Sequence, residues 1–173
     1  VTKDGHSNLE VMSVDTYGRA CEVPENVVDE FVEDSLNLFA EKESPPAIFD
    51  GLSEVIKHLS SKHKIAIVTT NSSQNVRAFL TKHGLESLVH AVYGVDTPGS
   101  KAQKISIARE RFVKNGEPVF MIGDALSDVR AAKEAGVTSI VVTWGHQSLK
   151  TLLRGEPDYV ANFPRELIEV IER

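Results

Sequence analysis

This sequence is poor in cysteine and in aromatic residues, with one cysteine and one tryptophan among 173 residues and aromatic side chains at 6%. The single cysteine, Cys21, excludes a disulfide framework within the chain and is typical of a reducing compartment, so we predict a cytoplasmic protein. No apolar run approaches the roughly 20 residues that span a membrane. No secretory leader is recognisable at the start. We therefore expect no membrane partner.

Basic charge is also scarce over the sequence as a whole, which carries a formal net charge of −6. A surface that follows nucleic-acid phosphates needs net basic patches, so we expect no nucleic-acid partner. The charge is unevenly placed, because residues 1–50 hold 12 acidic and 3 basic residues whereas residues 51–173 hold 13 and 16. We predict two structural units, residues 1–45 and residues 46–173, that meet near Ser44-Pro45-Pro46.

Short apolar runs alternate with amphipathic segments from residue 51 onward. This alternation is typical of a parallel sheet with right-handed crossover connections. The predicted fold class is therefore α/β, a Rossmann-like parallel sheet with helices on both faces. The predicted strands are Ile65–Val68, Val89–Tyr93, Val119–Ile122, Ser139–Thr143 and Tyr159–Ala161, and the predicted helices lie near Leu52–Leu59, Val76–Leu80, Lys101–Val113, Leu126–Ala135, Leu149–Leu153 and Arg165–Ile171.

The acidic first unit is less regular. Leu9–Val23 fits a helical stripe, although Leu9–Val14 also fits a short strand, and both interpretations stay open. Pro24 stands where a helix favours proline, and Glu25–Lys42 has the pattern of an amphipathic helix. The predicted inner face of that helix consists of Val28, Phe31, Val32, Ser35, Leu38 and Phe39.

The strand–helix–strand segment Val119–Trp144 carries two carboxylates at the end of its first strand. Asp124 follows the strand directly, and Asp128 falls in the first turn of the next helix. In open parallel sheets, ligands bind at this edge. The acids fit a site for Mg²⁺, which takes one or two carboxylates with water and phosphate oxygens. They also fit a simpler role, in which Asp124 caps the helix and Asp128 complements its dipole.

Polar groups follow two other strands. Thr69-Thr70-Asn71 ends one strand and precedes a helix, where free N–H groups and hydroxyls make an anion site. Plain capping by Asn71 or Ser72 is the alternative. After the next strand, Ser100 and Gln103 have the spacing of a capping box, which puts Lys101 in the first helical turn.

A cation in the first turn of a helix is disfavoured by about 0.3–1 kcal/mol. Lys101 is tolerable there if solvated, and it is better explained by an anion between it and the other strand ends. A hydroxyl, an ammonium and a pair of carboxylates around one point suit a phosphoryl group. The three strand ends together therefore predict a phosphate and Mg²⁺ site.

Three segments in this order, IAIVTTNSS, GSKAQK and MIGDALSD, resemble motifs II, III and IV of the haloacid dehalogenase (HAD) superfamily. The resemblance extends through IFDGLSEVIKHL before the first segment, and through AAKEAGVTSIVVTWG and PDYVANFPRELIEVI after the last. It covers residues 46–173 and is strongest to phosphoglycolate-phosphatase-type members. Residues 24–45 resemble the closing part of the family's small helical cap, so residues 1–45 are expected to form a partial cap.

The resemblance implies a Mg²⁺-dependent phosphatase of a small phosphate monoester that works through an aspartyl-phosphate. Carried onto matching positions, Thr69 binds the phosphoryl oxygens, helped by the backbone at Thr70 and Asn71. Lys101 neutralises charge on the nucleophile and the phosphate.

The acids complete this expected site. Asp124 ligates Mg²⁺, and Asp128 supports the ion directly or through water. The expected partner is a small phosphorylated metabolite, and the expected assembly is a monomer or a homodimer. The sequence does not name the metabolite.

The family's first motif, an apolar strand ending in Asp-x-Asp-Gly-Thr, has no counterpart in this sequence. Val1–His6 has a threonine at the nucleophile position and no strand before it. Val14–Gly18 resembles the Asp-x-Tyr-Gly form of the dehalogenase branch, with Asp15 as nucleophile, but Arg19 replaces the usual threonine. We expect that residues 1–45 are cap and that the chain begins after the catalytic strand, as a truncated product, a fragment or a degenerate relative.

Two rival hypotheses accompany the enzyme. A chain without a nucleophile would act as a binding module. A phospho-receiver domain shares the Asp, Thr and Lys chemistry but is disfavoured, because receivers place their acidic pair early and this sequence places it last. His146 could face a substrate, although a solvated surface position is the simpler interpretation. Trp144 and Cys21 are expected to pack in the interior.

Overall fold

The computed structural model describes residues 13–41 and 46–173. Every strand pairing in these residues is parallel, and none of the described helices is long and apolar enough to cross a bilayer. The helices are α1 (Val14–Ala20), α2 (Val28–Glu41), α3 (Leu52–Ser60), α4 (Ser73–Lys82), α5 (Lys101–Phe112), α6 (Leu126–Ala135), α7 (Leu149–Leu153) and α8 (Glu166–Ile171). The strands are β1 (Ala66–Val68), β2 (Ala91–Tyr93), β3 (Phe120–Gly123), β4 (Thr138–Val142) and β5 (Tyr159–Ala161), with 3-10 turns at Glu25–Val27 and Glu86–Leu88.

The strands form two parallel sheets, β1–β2 and β3–β4–β5. Val68 pairs with Tyr93 in the first sheet, and Gly123 pairs with Val141 in the second. The predicted α/β fold class is confirmed. Each predicted strand is present, with bounds that differ by no more than two residues.

Hydroxyl caps and one glycine fix where the helices begin and end. Ser100 Oγ accepts a hydrogen bond from Gln103 N at 3.2 Å and Gln103 Oε1 accepts one from Ser100 N at 2.7 Å, which confirms the predicted capping box. Ser72 Oγ caps α4 by accepting a hydrogen bond from Asn75 N at 3.2 Å. Gly136, with φ of 66°, ends α6 in the left-handed conformation that glycine adopts without strain.

Two helical layers cover the strands, and each layer contacts both sheets. On one face, α3 and α8 pack in an apolar cluster with β4 and β5, and Ile65 and Phe120 lie against that cluster. On the other face, α5 and α6 form a cluster to which Val68 and Met121 contribute. Val68 of β1, Ile65 directly before β1 and residues of β3 therefore share neighbours on both faces. It follows that β1 and β3 are the inner edges of the two sheets.

These inner strands are less buried than the strands beside them. All of β2 and the last four residues of β4 are buried, whereas β1 and β3 are half-buried or exposed. Ile122 of β3 is 38% exposed. In an intact parallel sheet the central strands are covered on both faces. Within the described residues, the sheet is thus interrupted between two apolar strands, and we call this interruption the strand gap.

The first described helices pack on each other before the sheets begin. The helical interpretation is confirmed for residues 14–20, while residues 9–12 lie outside the described residues. Val28 is 2% exposed, as predicted for an inner face. Leu38 is 64% exposed and was wrongly placed on that face, because the 14-residue α2 extends beyond the seven residues of α1.

Two interior placements had different outcomes. Trp144 is half-buried and packs against the apolar cluster of α3, α8, β4 and β5, as predicted. Cys21 is exposed, so its predicted interior position is wrong. It stands at the C-terminal cap of α1, where the chain turns away from the helix. The boundary between residues 1–45 and 46–173 stays a prediction, since residues 42–45 lie outside the described residues.

Asp158 joins β4 and β5 near their amino ends. Its Oδ2 accepts hydrogen bonds from Ser139 N at 2.8 Å and Ser139 Oγ at 2.7 Å, and Ser139 is 2% exposed. These bonds, the one from the backbone N–H first, lower the pKa of Asp158. Asp158→Ala is expected to reduce the free energy of unfolding by about 1–3 kcal/mol at pH 7, because it leaves buried donors unpaired.

The pH dependence of this effect follows from the lowered pKa of Asp158. Such a carboxyl contributes stability above its unfolded pKa and loses that contribution as the pH falls through its folded pKa. The stability difference between wild type and Asp158→Ala should thus shrink below about pH 4. Urea unfolding at several pH values measures it. A difference that grows in acid would contradict the assignment, and Asp50→Ala on the surface is the control.

Candidate active site

The amino-terminal ends of α5 and α6 meet at the carboxyl edge of the strands. Lys101, the first residue of α5, forms an ion pair with Asp128 Oδ1 in the first turn of α6. The two side chains are 22% and 8% exposed, so the pair is largely shielded from water. Because α5 follows β2 and α6 follows β3, this contact joins the carboxyl ends of the two sheets. The carboxylate also offsets the unfavourable position of an ammonium in the first turn of a helix.

The second oxygen of Asp128 binds the backbone of the preceding turn. Oδ2 accepts hydrogen bonds from Asp124 N and Ala125 N, both at 3.1 Å. The N-cap residue of α6 is Ala125, so the alternative in which Asp124 caps this helix is wrong. Asp128 satisfies these N–H groups instead. Gly123 leaves the necessary space, because a β-carbon there would overlap the Asp128 carboxylate.

Asp124 presents its carboxylate towards solvent, with a side chain that is 36% exposed. Its Oδ2 accepts a hydrogen bond from His146 N at 2.9 Å and lies 3.0 Å from His146 Nδ1. His146 is 66% exposed, which confirms the predicted surface position and adds Asp124 as its neighbour. Gly145 packs so closely on Asp124 that a β-carbon would not fit. The segment after β4 therefore forms one wall beside Asp124.

The loop at the end of β1, residues 69–72, is held by its own polar groups. Thr69 Oγ1 accepts a hydrogen bond from Asn71 N at 3.1 Å. The Asn71 side chain accepts one from Ser72 N at 2.8 Å through Oδ1. The predicted alternative of capping is confirmed for Ser72, whose hydroxyl caps α4. Capping by Ser72 leaves the hydroxyl of Thr69 near the strand end, where the anion site is predicted.

This loop is also tied to the end of β2. Asn71 O accepts a hydrogen bond from Val95 N at 2.9 Å, and Asp96 Oδ1 accepts one from Ser73 N at 2.7 Å. The hydrogen bond from Ser73 lowers the pKa of Asp96. Gly94 lies among these groups, in a place too narrow for a β-carbon. The ends of β1 and β2 are thus fixed relative to each other.

Lys104 was not predicted as part of the site and is one of its buried supports. It is 7% exposed, and its Nζ donates a hydrogen bond to Gly94 O at 2.7 Å. A buried ammonium is costly unless it is hydrogen-bonded, so this contact fixes α5 against the end of β2. No pattern in the sequence indicated this role, because a lysine one turn after Lys101 has the pattern of a solvated helix face.

Asn75 connects the first structural unit with the loop at the end of β1. Its Nδ2 donates to Leu36 O of α2 at 3.0 Å and to Asn71 Oδ1 at 3.2 Å. One amide group thus binds the predicted cap helix and the predicted anion loop together. An Asx residue in the first turn of a helix is common, which is why the sequence did not single it out.

The structure brings three of the predicted residues into one hydrogen-bonded network: Lys101, Asp124 and Asp128. The segment Thr69-Thr70-Asn71 lies at the carboxyl end of β1, on the other sheet. The catalytic, substrate-binding and metal-binding roles assigned to these residues stay predictions.

A Rossmann-like α/β core with an ammonium and two carboxylates at its carboxyl edge defines the class of this protein. Residues 9–142 match the model of the haloacid dehalogenase-like hydrolase family. The phosphoglycolate phosphatase of Synechococcus elongatus is 32% identical over 127 residues, which cover 72% of this chain. The chain belongs to the haloacid dehalogenase-like hydrolase family, which confirms the resemblance stated from its motifs.

The curated relatives are longer than this chain. The alignment covers 59% of the Synechococcus protein, and a phosphoglycolate phosphatase of Vibrio cholerae is 32% identical over 110 residues, 62% of this chain and 49% of its own. The chain therefore spans about half to three fifths of these two relatives. A crystal structure of a predicted phosphatase from Clostridium acetobutylicum has a TM-score of 0.80 at 22% identity, over 92% of this chain and 76% of that one. This likeness supports the fold.

Asn75→Ala is expected to loosen α2 from the loop at the end of β1, because both hydrogen bonds of the amide are lost. A loss of about 1 kcal/mol corresponds to roughly fivefold faster amide exchange in residues 28–41. Hydrogen exchange followed by mass spectrometry measures this. The exposed neighbour Gln74→Ala is the matched control, and equal exchange in both variants would refute the connection.

Proposed function

We propose that this chain forms the core of a Mg²⁺-dependent phosphatase that hydrolyses a small phosphate monoester similar to phosphoglycolate, through an aspartyl-phosphate intermediate. The observation that carries the proposal is the Lys101–Asp128 pair beside Asp124, at the edge where β1 also ends. Phosphoryl transfer depends on positioning and charge stabilisation, and these groups supply both. The identity to phosphoglycolate phosphatases supports the substrate class.

The two acids fit Mg²⁺ in unequal ways. Asp124 is half-exposed, and its hydrogen bonds from His146 fall on Oδ2, so we propose Oδ1 as the oxygen that binds Mg²⁺. Asp128 is occupied by Lys101 and two N–H groups, which suits support of the ion through water. Among the described residues no group of three or more His, Cys, Asp or Glu could hold a metal by itself. A Mg²⁺ site that water and phosphate oxygens complete has this composition.

The remaining residues bind the phosphoryl group in this proposal. The hydroxyl of Thr69 donates a hydrogen bond to a phosphoryl oxygen, and the N–H groups of Thr70 and Asn71 add further donors. Asn71 N would then exchange its bond with Thr69 Oγ1 for one with the phosphate. Lys101 compensates the negative charge that gathers between Asp128 and the phosphate. When bound, Mg²⁺ would stabilise that charge as a Lewis acid.

The strand gap supports a nucleophile that lies outside the described residues. A parallel strand between β1 and β3 would end beside Thr69 and Asp124, where an aspartate could attack phosphorus. Asp15, the other candidate, lies in the first turn of α1. Its Oδ1 accepts a hydrogen bond from Ser13 Oγ, and its Oδ2 lies 3.9 Å from Arg19 Nε. A helical position with a local partner does not suit a nucleophile at a strand end. Val1–His6 lies outside the described residues.

The strand gap also favours a second candidate function. If the gap stays open, the chain binds phosphate or Mg²⁺ without turnover and acts as a binding module. In both cases we propose a small phosphorylated metabolite as the partner, and a monomer or homodimer as the assembly. Release of p-nitrophenol from p-nitrophenyl phosphate by the protein expressed from the complete gene decides between the two, since the binding module predicts none.

Asp124→Asn is expected to lower phosphatase kcat/KM by about 10²–10³-fold in the protein expressed from the complete gene, because the metal loses the negative charge of its direct ligand. Release of phosphate from phosphoglycolate at saturating Mg²⁺ measures this. Asp50→Asn on the surface is the control for loss of one carboxylate. Full activity of Asp124→Asn would remove this residue from the proposed site.

Lys101→Met tests the charge at the site without requiring turnover. The variant should weaken binding of inorganic phosphate to the 173-residue chain by about 10–100-fold, since a charged hydrogen bond contributes about 1.5–3 kcal/mol. Calorimetric titration in the presence of Mg²⁺ measures the dissociation constant. Lys150→Met, an exposed lysine of α7, should bind phosphate as the wild type does. Equal affinity of Lys101→Met and wild type would refute the role of Lys101.

A further inference from the structure

Helix α6 begins without a cap of its own. Its N-cap residue, Ala125, has no polar side chain, although the first N–H groups of a helix need partners from outside the helix. Asp128 satisfies the N–H groups of Asp124 and Ala125. The next N–H group, that of Leu126, donates to Gln147 Oε1 at 2.6 Å. A residue 21 positions later in the chain therefore completes the start of this helix.

Gln147 belongs to the segment after β4, residues 143–148, which we call the β4 loop. Gln147 is 2% exposed, and its own N–H points to Asp124 O at 3.4 Å. In the same loop, Gly145 packs on Asp124 and His146 N donates to the Asp124 carboxylate. Gln147 is thus the buried residue that anchors the β4 loop. The two residues before it, Gly145 and His146, contact the side chain of Asp124.

We infer that Gln147 is a positioning residue that orients the Asp124 carboxylate for Mg²⁺. This inference rests on the metal site of the proposed function. Removal of the Gln147 amide leaves Leu126 N buried without an acceptor, so the β4 loop and the start of α6 separate. Gly145 and His146 then no longer hold Asp124 in one orientation. Residues that orient a metal ligand typically contribute 10–100-fold to metal affinity.

The single tryptophan of the chain provides the measurement. Trp144 lies in the β4 loop, one residue before Gly145, so its fluorescence should respond to Mg²⁺ at Asp124. The experiment is a Mg²⁺ titration of the 173-residue chain, with calorimetry as a second readout. Gln147→Met removes the acceptor at similar volume, and we expect at least tenfold weaker Mg²⁺ binding. Gln147→Glu keeps an oxygen for Leu126 N and should bind Mg²⁺ within about threefold of wild type.

A stability-matched control separates positioning from general destabilisation. Ser139→Ala removes a buried hydrogen bond at the amino end of β4, away from the β4 loop. It should lower the melting temperature and leave the Mg²⁺ dissociation constant unchanged. If Gln147→Met does not fold, Gln147→Asn, whose shorter amide does not reach Leu126 N, takes its place with the same expected loss.

The outcomes distinguish this inference from the function on which it rests. Wild type that binds no Mg²⁺ would overturn the metal site and the inference together. Wild type and Gln147→Met that bind Mg²⁺ equally would overturn the positioning role alone. Weakening of the same size in Ser139→Ala would also overturn it, because the effect would then follow stability. Weaker Mg²⁺ binding by Gln147→Met, together with near-wild-type binding by Gln147→Glu, supports the positioning role.

Discussion

The ion pair between Lys101 and Asp128 is the contact on which the arrangement of this site depends. It gathers three sources of charge: the positive ends of α5 and α6, the ammonium of Lys101 and the carboxylate of Asp128. Loss of one partner from a fully buried pair costs about 3–5 kcal/mol, and partial exposure of Lys101 reduces that figure here. Because the two helices follow strands of different sheets, the same pair fixes how the two carboxyl edges face each other.

This pair leads to a division of roles between the two acids. Both carboxylate oxygens of Asp128 are hydrogen-bonded, one to Lys101 and the other to the backbone of the turn, so the carboxylate is fixed. Asp124 keeps a half-exposed carboxylate, whose orientation depends on the β4 loop instead. One immobile acid and one accessible acid form a site that is rigid in position and open to a ligand. The spacing of four residues between the acids follows from this geometry, since the first turn of α6 brings the Asp128 carboxylate back to the backbone N–H of Asp124.

The fold and part of the site were predictable from the sequence because both depend on local patterns. Strand runs and the Ser100–Gln103 box each act within a few residues, and both predictions are confirmed. The supports were not predictable, because Lys104, Asn75 and Gln147 bind groups brought near only by the tertiary fold. Leu38 and Cys21 were misplaced for the same reason. Apolar character predicts burial only where a neighbouring element reaches that far.

In the proposed enzyme, a strand that fills the strand gap would complete the sheet and assemble the site in the same step. The walls of the gap are apolar strands with unpaired backbone edges within the described residues, and such edges attract a further strand. A parallel strand inserted there would bury Ile122, pair both edges and bring its last residues between Thr69 and Asp124. Hydrogen bonds that join the two sheets would then hold the nucleophile in line with the phosphate. The free energy of unfolding would rise as the catalytic geometry forms, because the same strand pairing produces both.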